Sequence, residues 1–136
     1  MEEEIQVPIA SVADIVEARE QGRILGKAVG FSIIYLTIIA TAISEIARNI
    51  LTYAKHGEII LRQIKEGQRN GILIIAQDNG PGIADVSLAM QDGYSTRKGL
   101  GLGLPGTKRL MDEFEIYSEI EIGTTVKIKK WLPQNE

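Results

Sequence analysis

The longest uncharged stretch of the chain constrains its fold more than any other feature. No charged residue occurs between Lys27 and Glu45, which leaves 17 consecutive uncharged positions. A membrane-spanning helix needs about 20 predominantly apolar residues, whereas this stretch contains glycine, serine and threonine and is soon followed by Arg48 and Asn49. We therefore predict a helix at about 32–54 that is buried on most sides within a soluble protein.

Composition narrows the possible chemistry. The 136 residues are 44% hydrophobic and 24% charged, which is typical of one globular domain, and we assign residues 1–136 to a single domain. The chain has no cysteine and one histidine, His56. Disulfide frameworks, cysteine-ligated zinc, iron–sulfur clusters and thiol catalysis are thereby excluded, and multi-histidine metal sites are disfavoured.

The charge distribution and the first residues bear on partners and location. The net charge is −3 and the charged residues are spread evenly, so no basic face is indicated and we expect no nucleic-acid partner. The acidic beginning, MEEEIQV, lacks the basic region and apolar core of a signal peptide. We expect a cytoplasmic protein without a membrane partner.

Hydrophobic periodicity predicts strands and helices that alternate along the chain. The predicted strands lie at about 5–9, 58–65, 72–76, 115–118 and 125–131. The predicted helices run from Ser11 to Gly30, at about 32–54 and at about 106–113. This order favours an α+β sandwich over a doubly wound parallel sheet. The hairpin turn between the second and third strands is predicted at Asn70-Gly71, a pair that favours positive φ.

Residues 79–106 are rich in glycine and turn residues, with at most a short helix near 87–92. A segment of this length with little regular structure is uncommon in a compact domain unless it has a function. The segment ends in Gly99-Leu-Gly-Leu-Gly-Leu-Pro-Gly106 before a predicted helix. Backbone N–H groups of a glycine-rich turn at a helix N-terminus bind anions, so phosphate is the expected ligand.

The same glycines also match other nucleotide-binding patterns, which the context excludes. Gly101, Gly103 and Gly106 form a literal G-x-G-x-x-G, but no buried strand precedes them, as a dinucleotide-binding unit requires. Thr107-Lys108 follows Gly106, whereas a P-loop needs lysine and then serine or threonine.

Glu45 and Asn49 lie four residues apart and so share one face of the predicted second helix. Carboxylate and amide oxygens are hard ligands suited to Mg²⁺, and a carboxylate can accept a proton from an attacking hydroxyl. The alternative is an ordinary surface pair. The apolar stretch directly before it argues for the functional interpretation.

Asp78-Asn-Gly-Pro-Gly82 directly follows the most apolar predicted strand. One interpretation is a simple turn, since these residue types are usual in turns. The other places the Asp78 carboxylate, a pure hydrogen-bond acceptor, at the mouth of a pocket for an adenine amino group. Gly80 and Gly82 would let the backbone approach a flat ring closely.

Taken in order, these clusters resemble the N, G1 and G2 boxes of the Bergerat-fold ATPases, the group that contains gyrase, histidine kinases and MutL. Gly123-Thr124 resembles the last motif of the group, where a threonine supports the adenine-binding aspartate. The matched residues, box by box, are Glu45 and Asn49, then Asp78, Gly80 and Gly82, then Gly99, Gly101 and Gly103.

The resemblance implies a two-layer α/β sandwich with a mixed, mostly antiparallel sheet, helices on one face, and a nucleotide lid at about 85–98. It implies ATP and Mg²⁺ as cofactors, with Asn49 holding the metal and Glu45 acting as base or orienting the nucleophile. Asp78 would bind the adenine amino group with help from Thr124.

The resemblance also implies roles for the glycine-rich segment. The three G2 glycines, Gly99, Gly101 and Gly103, would surround the phosphates. Arg97 and Lys98 are candidates to contact the γ-phosphate from the lid. The alternative for these two cations is simple solvation.

The residues at 42–49, 92–96 and 103–114 resemble those of bacterial switch-protein kinases related to anti-sigma-factor kinases. That branch implies a Mg²⁺-ATP-dependent serine/threonine kinase that phosphorylates a STAS-domain partner in stress signalling and, on release, activates a downstream PP2C-type phosphatase. The alternative function is a non-catalytic, ATP-dependent binding switch or anti-sigma factor that sequesters a partner.

Overall fold

The computed structural model describes residues 4–83, 86, 90 and 103–133. In chain order the elements are β1 Glu4–Ile9, α1 Val12–Val29, α2 Ile33–Asn49, a π-helical turn Ile50–Ala54, β2 Gly57–Glu66, β3 Arg69–Asp78, α3 Gly103–Leu110, β4 Glu113–Glu119 and β5 Gly123–Trp131. Each predicted strand and the first two helices are confirmed, with bounds that differ by a few residues. The third helix begins at Gly103, earlier than predicted, and the short helix near 87–92 lies mostly outside the described residues.

The five strands form one sheet in the order β1-β2-β3-β5-β4. The four pairings among the described strands are all antiparallel, so the described part of the sheet is antiparallel and not mixed as the resemblance implied. Helices α1 and α2 cover one face, as expected of an α+β sandwich. The strand residues that face them alternate along each strand and form the core, for example Val7, Ile59, Ile74 and Ile128.

Local signals at both ends of α1 explain its bounds. The Asp14 carboxylate accepts hydrogen bonds from the backbone N–H groups of Ala10 and Ser11, at 2.8 and 3.1 Å, which satisfies donors that a helix start leaves unpaired. Gly30 ends the helix in a left-handed conformation with φ of 119°. Both ends were predicted from the sequence.

Helix α2 is the central helix of the fold. Ile39 and the residues at 42–47 are buried, which confirms the predicted burial for its second half. Ile33 and Ile34 are exposed, so the prediction is wrong for the first turn, since apolar composition alone does not say which turn contacts the sheet. Together with the π-helical turn, α2 is long and apolar enough to span a membrane, but half of its most apolar window is buried within the protein, so this is weak evidence for a membrane span.

The hairpin between β2 and β3 turns at Gly67-Gln68, and the predicted turn at Asn70-Gly71 is wrong. Glu66 pairs with Arg69, and Asn70 already lies in β3. Gly67 has φ of 60°, as the first central residue of a type II′ turn requires. The register is set by the core, because it places the apolar sides of both strands on the helix-covered face.

We predict that Gly67→Val lowers the free energy of unfolding by about 1–2 kcal/mol, because a side chain in the left-handed region is penalised by roughly that amount. Gly67→Asn is the matched control, since asparagine tolerates this conformation and nothing lies within 4 Å of a Cβ at this position. Urea unfolding measures both variants. Wild-type stability of Gly67→Val would place residue 67 within a strand and move the turn elsewhere.

Candidate functional site

Glu45 is a buried carboxylate near the end of α2. Its side chain is 8% exposed, and its two oxygens have different partners. Oε1 accepts a hydrogen bond from Arg48 Nη1 at 3.0 Å, and Oε2 accepts one from the backbone N–H of Gly103 at 3.1 Å. Gly103 is the first residue of α3, so the carboxylate connects the N box to the last glycine of the G2 box.

Asn49 lies one helical turn beyond Glu45, at the last residue of α2. Its side-chain amide has no hydrogen-bond partner among the described residues, and it is half-buried. The π-helical turn Ile50–Ala54 follows directly, and Lys55, which caps it, has φ of 74°. Such turns are rare and are frequent at functional sites. With no hydrogen-bond partner among the described residues, the Asn49 amide can offer a hard oxygen to a ligand.

Asp78 ends β3, and its carboxylate is fixed from two sides. Oδ1 accepts hydrogen bonds from the N–H of Gly80 at 2.9 Å and from the N–H of Thr124 at 3.3 Å. Oδ2 has no hydrogen-bond partner among the described residues, so it remains available as an acceptor. This arrangement suits a carboxylate that receives a donor from a ligand, such as an exocyclic amino group.

Thr124 supports Asp78 through its backbone and not through its hydroxyl. The Thr124 hydroxyl lies 2.8 Å from the Ser118 hydroxyl on the neighbouring strand β4. Ser118 Oγ in turn accepts the N–H of Ile83 at 2.6 Å. The β4–β5 pair is thus bonded to the loop after β3, and this network holds the G1 segment in place.

Close backbone contacts explain the glycines of this region. A Cβ on Gly80 would lie 2.5 Å from the Cβ of Ala54 in the π-helical turn, and a Cβ on Gly123 would overlap the carbonyl oxygen of Asp78. Gly82 has φ of 79° and packs against the backbone of Glu119. These contacts join the end of β3 to the end of α2 on one side and to the β4–β5 turn on the other.

The predicted site residues that the structure describes therefore form two contacting groups. Glu45 contacts Gly103, and Asp78 contacts Gly80 and Thr124, while Gly80 packs against the turn that follows Asn49. The predicted phosphate and lid residues lie outside the described residues: Arg97, Lys98, Gly99 and Gly101.

Sequence reasoning missed two residues of this region. Arg48 was visible as the partner of Glu45, because residues three apart on a helix are neighbours. Ser118 had no such signal, because its position opposite Thr124 depends on the register of β4 against β5. Each of them is hydrogen-bonded to a predicted site residue, Arg48 to Glu45 and Ser118 to Thr124.

A metal ion would have few protein ligands here. Among residues 4–83, 86, 90 and 103–133, no group of three or more histidine, cysteine, aspartate or glutamate side chains could hold a metal ion. The Asn49 amide nevertheless suits Mg²⁺, which is usually bound through few protein groups together with water and substrate phosphates.

Comparison with known families agrees with this geometry. Residues 36–135 match the family of histidine kinase-, DNA gyrase B- and HSP90-like ATPases. The match spans every described candidate site residue. The chain belongs to this ATPase family.

Individual relatives within this ATPase family place the chain more closely. It is 48% identical to the serine/threonine-protein kinase RsbT of Bacillus subtilis over 132 residues, 97% of this chain and 99% of the relative. It is 35% identical over 101 residues to the anti-sigma F factor of Caldanaerobacter subterraneus, 71% of each chain. Both a kinase and an anti-sigma factor are thus among its relatives.

A solved structure shows the same fold. The RsbU and RsbW domains of a Mycobacterium tuberculosis protein superpose with a TM-score of 0.65 at 19% identity, over 98% of this chain and 33% of that chain. The two-layer α/β sandwich of this ATPase family is therefore confirmed.

We predict that Gly123→Ala weakens ATP binding by about tenfold or more, equivalent to about 1.4 kcal/mol, because its Cβ displaces the Asp78 carbonyl. Gly67→Ala is the matched control, since that glycine also has positive φ and faces open space but lies before the start of β3, at the end of the strand opposite Asp78. Calorimetric titration with Mg²⁺-ATP measures both. Equal affinities would show that the Gly123 contact does not position Asp78.

Proposed function

We propose that this chain is a protein serine/threonine kinase that transfers the γ-phosphoryl group of Mg²⁺-ATP to a serine or threonine of a STAS-domain partner. The observation that carries the proposal is the buried, oriented carboxylate of Glu45, one turn before an Asn49 amide that no described residue hydrogen-bonds. The near-full-length similarity to a serine/threonine-protein kinase supports the same reaction.

The transfer step assigns a role to Glu45. The partner's hydroxyl oxygen forms a bond to the γ-phosphorus, the bond from that phosphorus to the bridging oxygen breaks, and ADP leaves. The hydroxyl proton passes to the Glu45 carboxylate, which acts as general base and also holds the hydroxyl in line. A positioned base of this kind accelerates a reaction by about 10²–10⁴-fold.

The nucleotide would lie between the two contacting groups of the site. Asp78 Oδ2 would accept the adenine amino group, since Oδ1 is already fixed by the backbone of Gly80 and Thr124. The G2 glycines, ending at Gly103, would surround the phosphates. Arg97 and Lys98, within a lid at about 85–98, are our candidates for γ-phosphate contact.

Mg²⁺ fits the donor set through Asn49. When bound, the ion would neutralise charge on the transferring phosphoryl group. Asn49 would supply its amide oxygen, and the Glu45 carboxylate lies on the same side of α2, one turn away. The remaining ligands would come from phosphate oxygens and water.

The partners and the setting are part of the proposal. We place the protein in the bacterial cytoplasm, as one domain over residues 1–136, in a partner-switching stress or sigma-factor pathway. After it phosphorylates its STAS-domain partner, the released kinase would activate a PP2C-type phosphatase. No nucleic-acid or membrane partner is proposed.

A second candidate function follows from the anti-sigma relatives. In that case the chain would be a non-catalytic, ATP-dependent binding switch that sequesters a partner. Both functions need the Asp78 pocket, so Glu45 distinguishes them, because a pure binder has little use for a carboxylate there.

We predict that Asp78→Asn weakens ATP binding and lowers phosphate transfer by about tenfold or more, because an amide cannot offer the same acceptor-only group to the adenine amino group. Transfer of labelled γ-phosphate to a STAS-domain partner measures the effect. Equal labelling by wild type and variant would exclude Asp78 as the adenine-binding residue.

We predict that Glu45→Gln binds ATP and partner within about twofold of wild type but loses at least about 10²-fold in turnover, because glutamine keeps an acceptor for Gly103 and cannot take a proton. Single-turnover phosphorylation and partner pull-down measure the two properties. Absence of transfer by the wild type itself, with its partner present, would favour the binding switch.

A further inference from the structure

Both oxygens of Glu45 are occupied by groups of this chain. Arg48 Nη1 donates to Oε1 at 3.0 Å and the Gly103 N–H donates to Oε2 at 3.1 Å. The first donor belongs to the same helix, and the second belongs to the start of α3, 58 residues further along the chain. Two donors on separate elements fix the plane of a carboxylate, which a single donor does not do.

We propose that Arg48 is a positioning residue for Glu45 and that Gly103 couples the phosphate-binding loop to it. This inference rests on the proposed kinase function, in which Glu45 accepts the hydroxyl proton. Arg48 and the Gly103 N–H together hold the carboxylate in the orientation needed for transfer. The base and the last glycine of the G2 box are therefore hydrogen-bonded to each other and move together.

The burial of Glu45 makes Arg48 necessary. A charged carboxylate that is 8% exposed needs compensation by charge and hydrogen bonds. Among the described residues, Arg48 is the one cation within 4 Å of Glu45. Its own side chain remains 35% exposed, so its charge stays hydrated while its guanidinium reaches the buried oxygen. Removing one partner of a buried ion pair lowers the stability of the fold strongly, because it leaves an uncompensated buried charge.

Gly103 is held in place by its own hydrogen bonds, so its N–H meets the Glu45 carboxylate from one direction. Its N–H is one of the donors that the start of a helix leaves unpaired, and a carboxylate is favoured there by the helix dipole. Its carbonyl accepts a hydrogen bond from the fully buried Thr107 hydroxyl at 2.9 Å. A shift of the first turn of α3 therefore shifts the carboxylate of Glu45 with it.

The two contacts leave Glu45 able to react. An ionised carboxylate has about four acceptor sites on its two oxygens, and the described residues occupy two of them. The remaining sites can accept the hydroxyl of a partner. The contacts thus orient the base without using its whole capacity.

The test compares Arg48→Met with Arg48→Lys in the full chain. We expect Arg48→Met to lower kcat for phosphate transfer by about tenfold or more, while KM for ATP stays within about twofold, as for loss of an interaction that serves the transition state. Lysine keeps the charge and should restore a measurable part of kcat. Arg23→Met, at an exposed position of α1, is the matched control and should retain wild-type kcat.

Unchanged kcat in Arg48→Met would overturn the positioning role. A parallel loss of kcat, ATP affinity and thermal stability that lysine does not restore would also overturn it, because that pattern indicates a structural role alone. Absence of transfer by the wild type would overturn the proposed function instead.

The Gly103 contact has a test that does not need kinase activity. Hydrogen exchange at the Gly103 amide, followed by NMR in the nucleotide-free protein, should become about tenfold faster or more in Glu45→Ala than in wild type, since the amide loses its acceptor. Amides of the last turn of α3 serve as internal controls. Unchanged exchange at Gly103 would exclude the coupling whatever the kinase assay shows.

Discussion

The burial of a charged carboxylate in the central helix is the constraint on which the site depends. Helix α2 is buried through its second half because its sequence is apolar, and Glu45 is carried into the interior with it. An ionised group at such a position needs donors. The fold supplies them from Arg48 and from the first residue of α3. Packing of the core thus also places the carboxylate that we propose as the base.

A second constraint is the close approach of backbone segments at the end of β3. Gly80 and Gly123 allow the loop after β3 to contact the π-helical turn and the start of β5, where any side chain would collide. The Asp78 carboxylate is fixed by two backbone N–H groups as a result. A rigid acceptor of this kind favours one ligand geometry, which is how a small site gains selectivity.

These two constraints bear on the two functions proposed for this chain, a kinase and a non-catalytic binding switch. Both functions need a nucleotide pocket, which we propose is formed around Asp78. Catalysis additionally needs a base that is oriented relative to the phosphates, and here the carboxylate of Glu45 is hydrogen-bonded to the end of the G2 box itself. The geometry of one carboxylate is therefore the feature that a kinase requires and a binding switch does not.

The sequence by itself predicted the order of the elements and supplied the candidate site residues. Alternating apolar residues predicted the strands, Ser11, Asp14 and Gly30 predicted the ends of α1, and the three boxes predicted Glu45 and Asp78. These signals are local, because capping, periodicity and glycine-rich turns depend on residues close together in the chain.

The tertiary structure alone decided which residues on different helices and strands contact one another. The turn at Gly67 was set by the register of two core strands and not by the local preference of Asn70-Gly71. The contact of Glu45 with Gly103 and that of Ser118 with Thr124 join residues on different elements. No local pattern encodes such pairs, because they arise only when packing of helices and strands brings distant backbone groups within hydrogen-bonding distance.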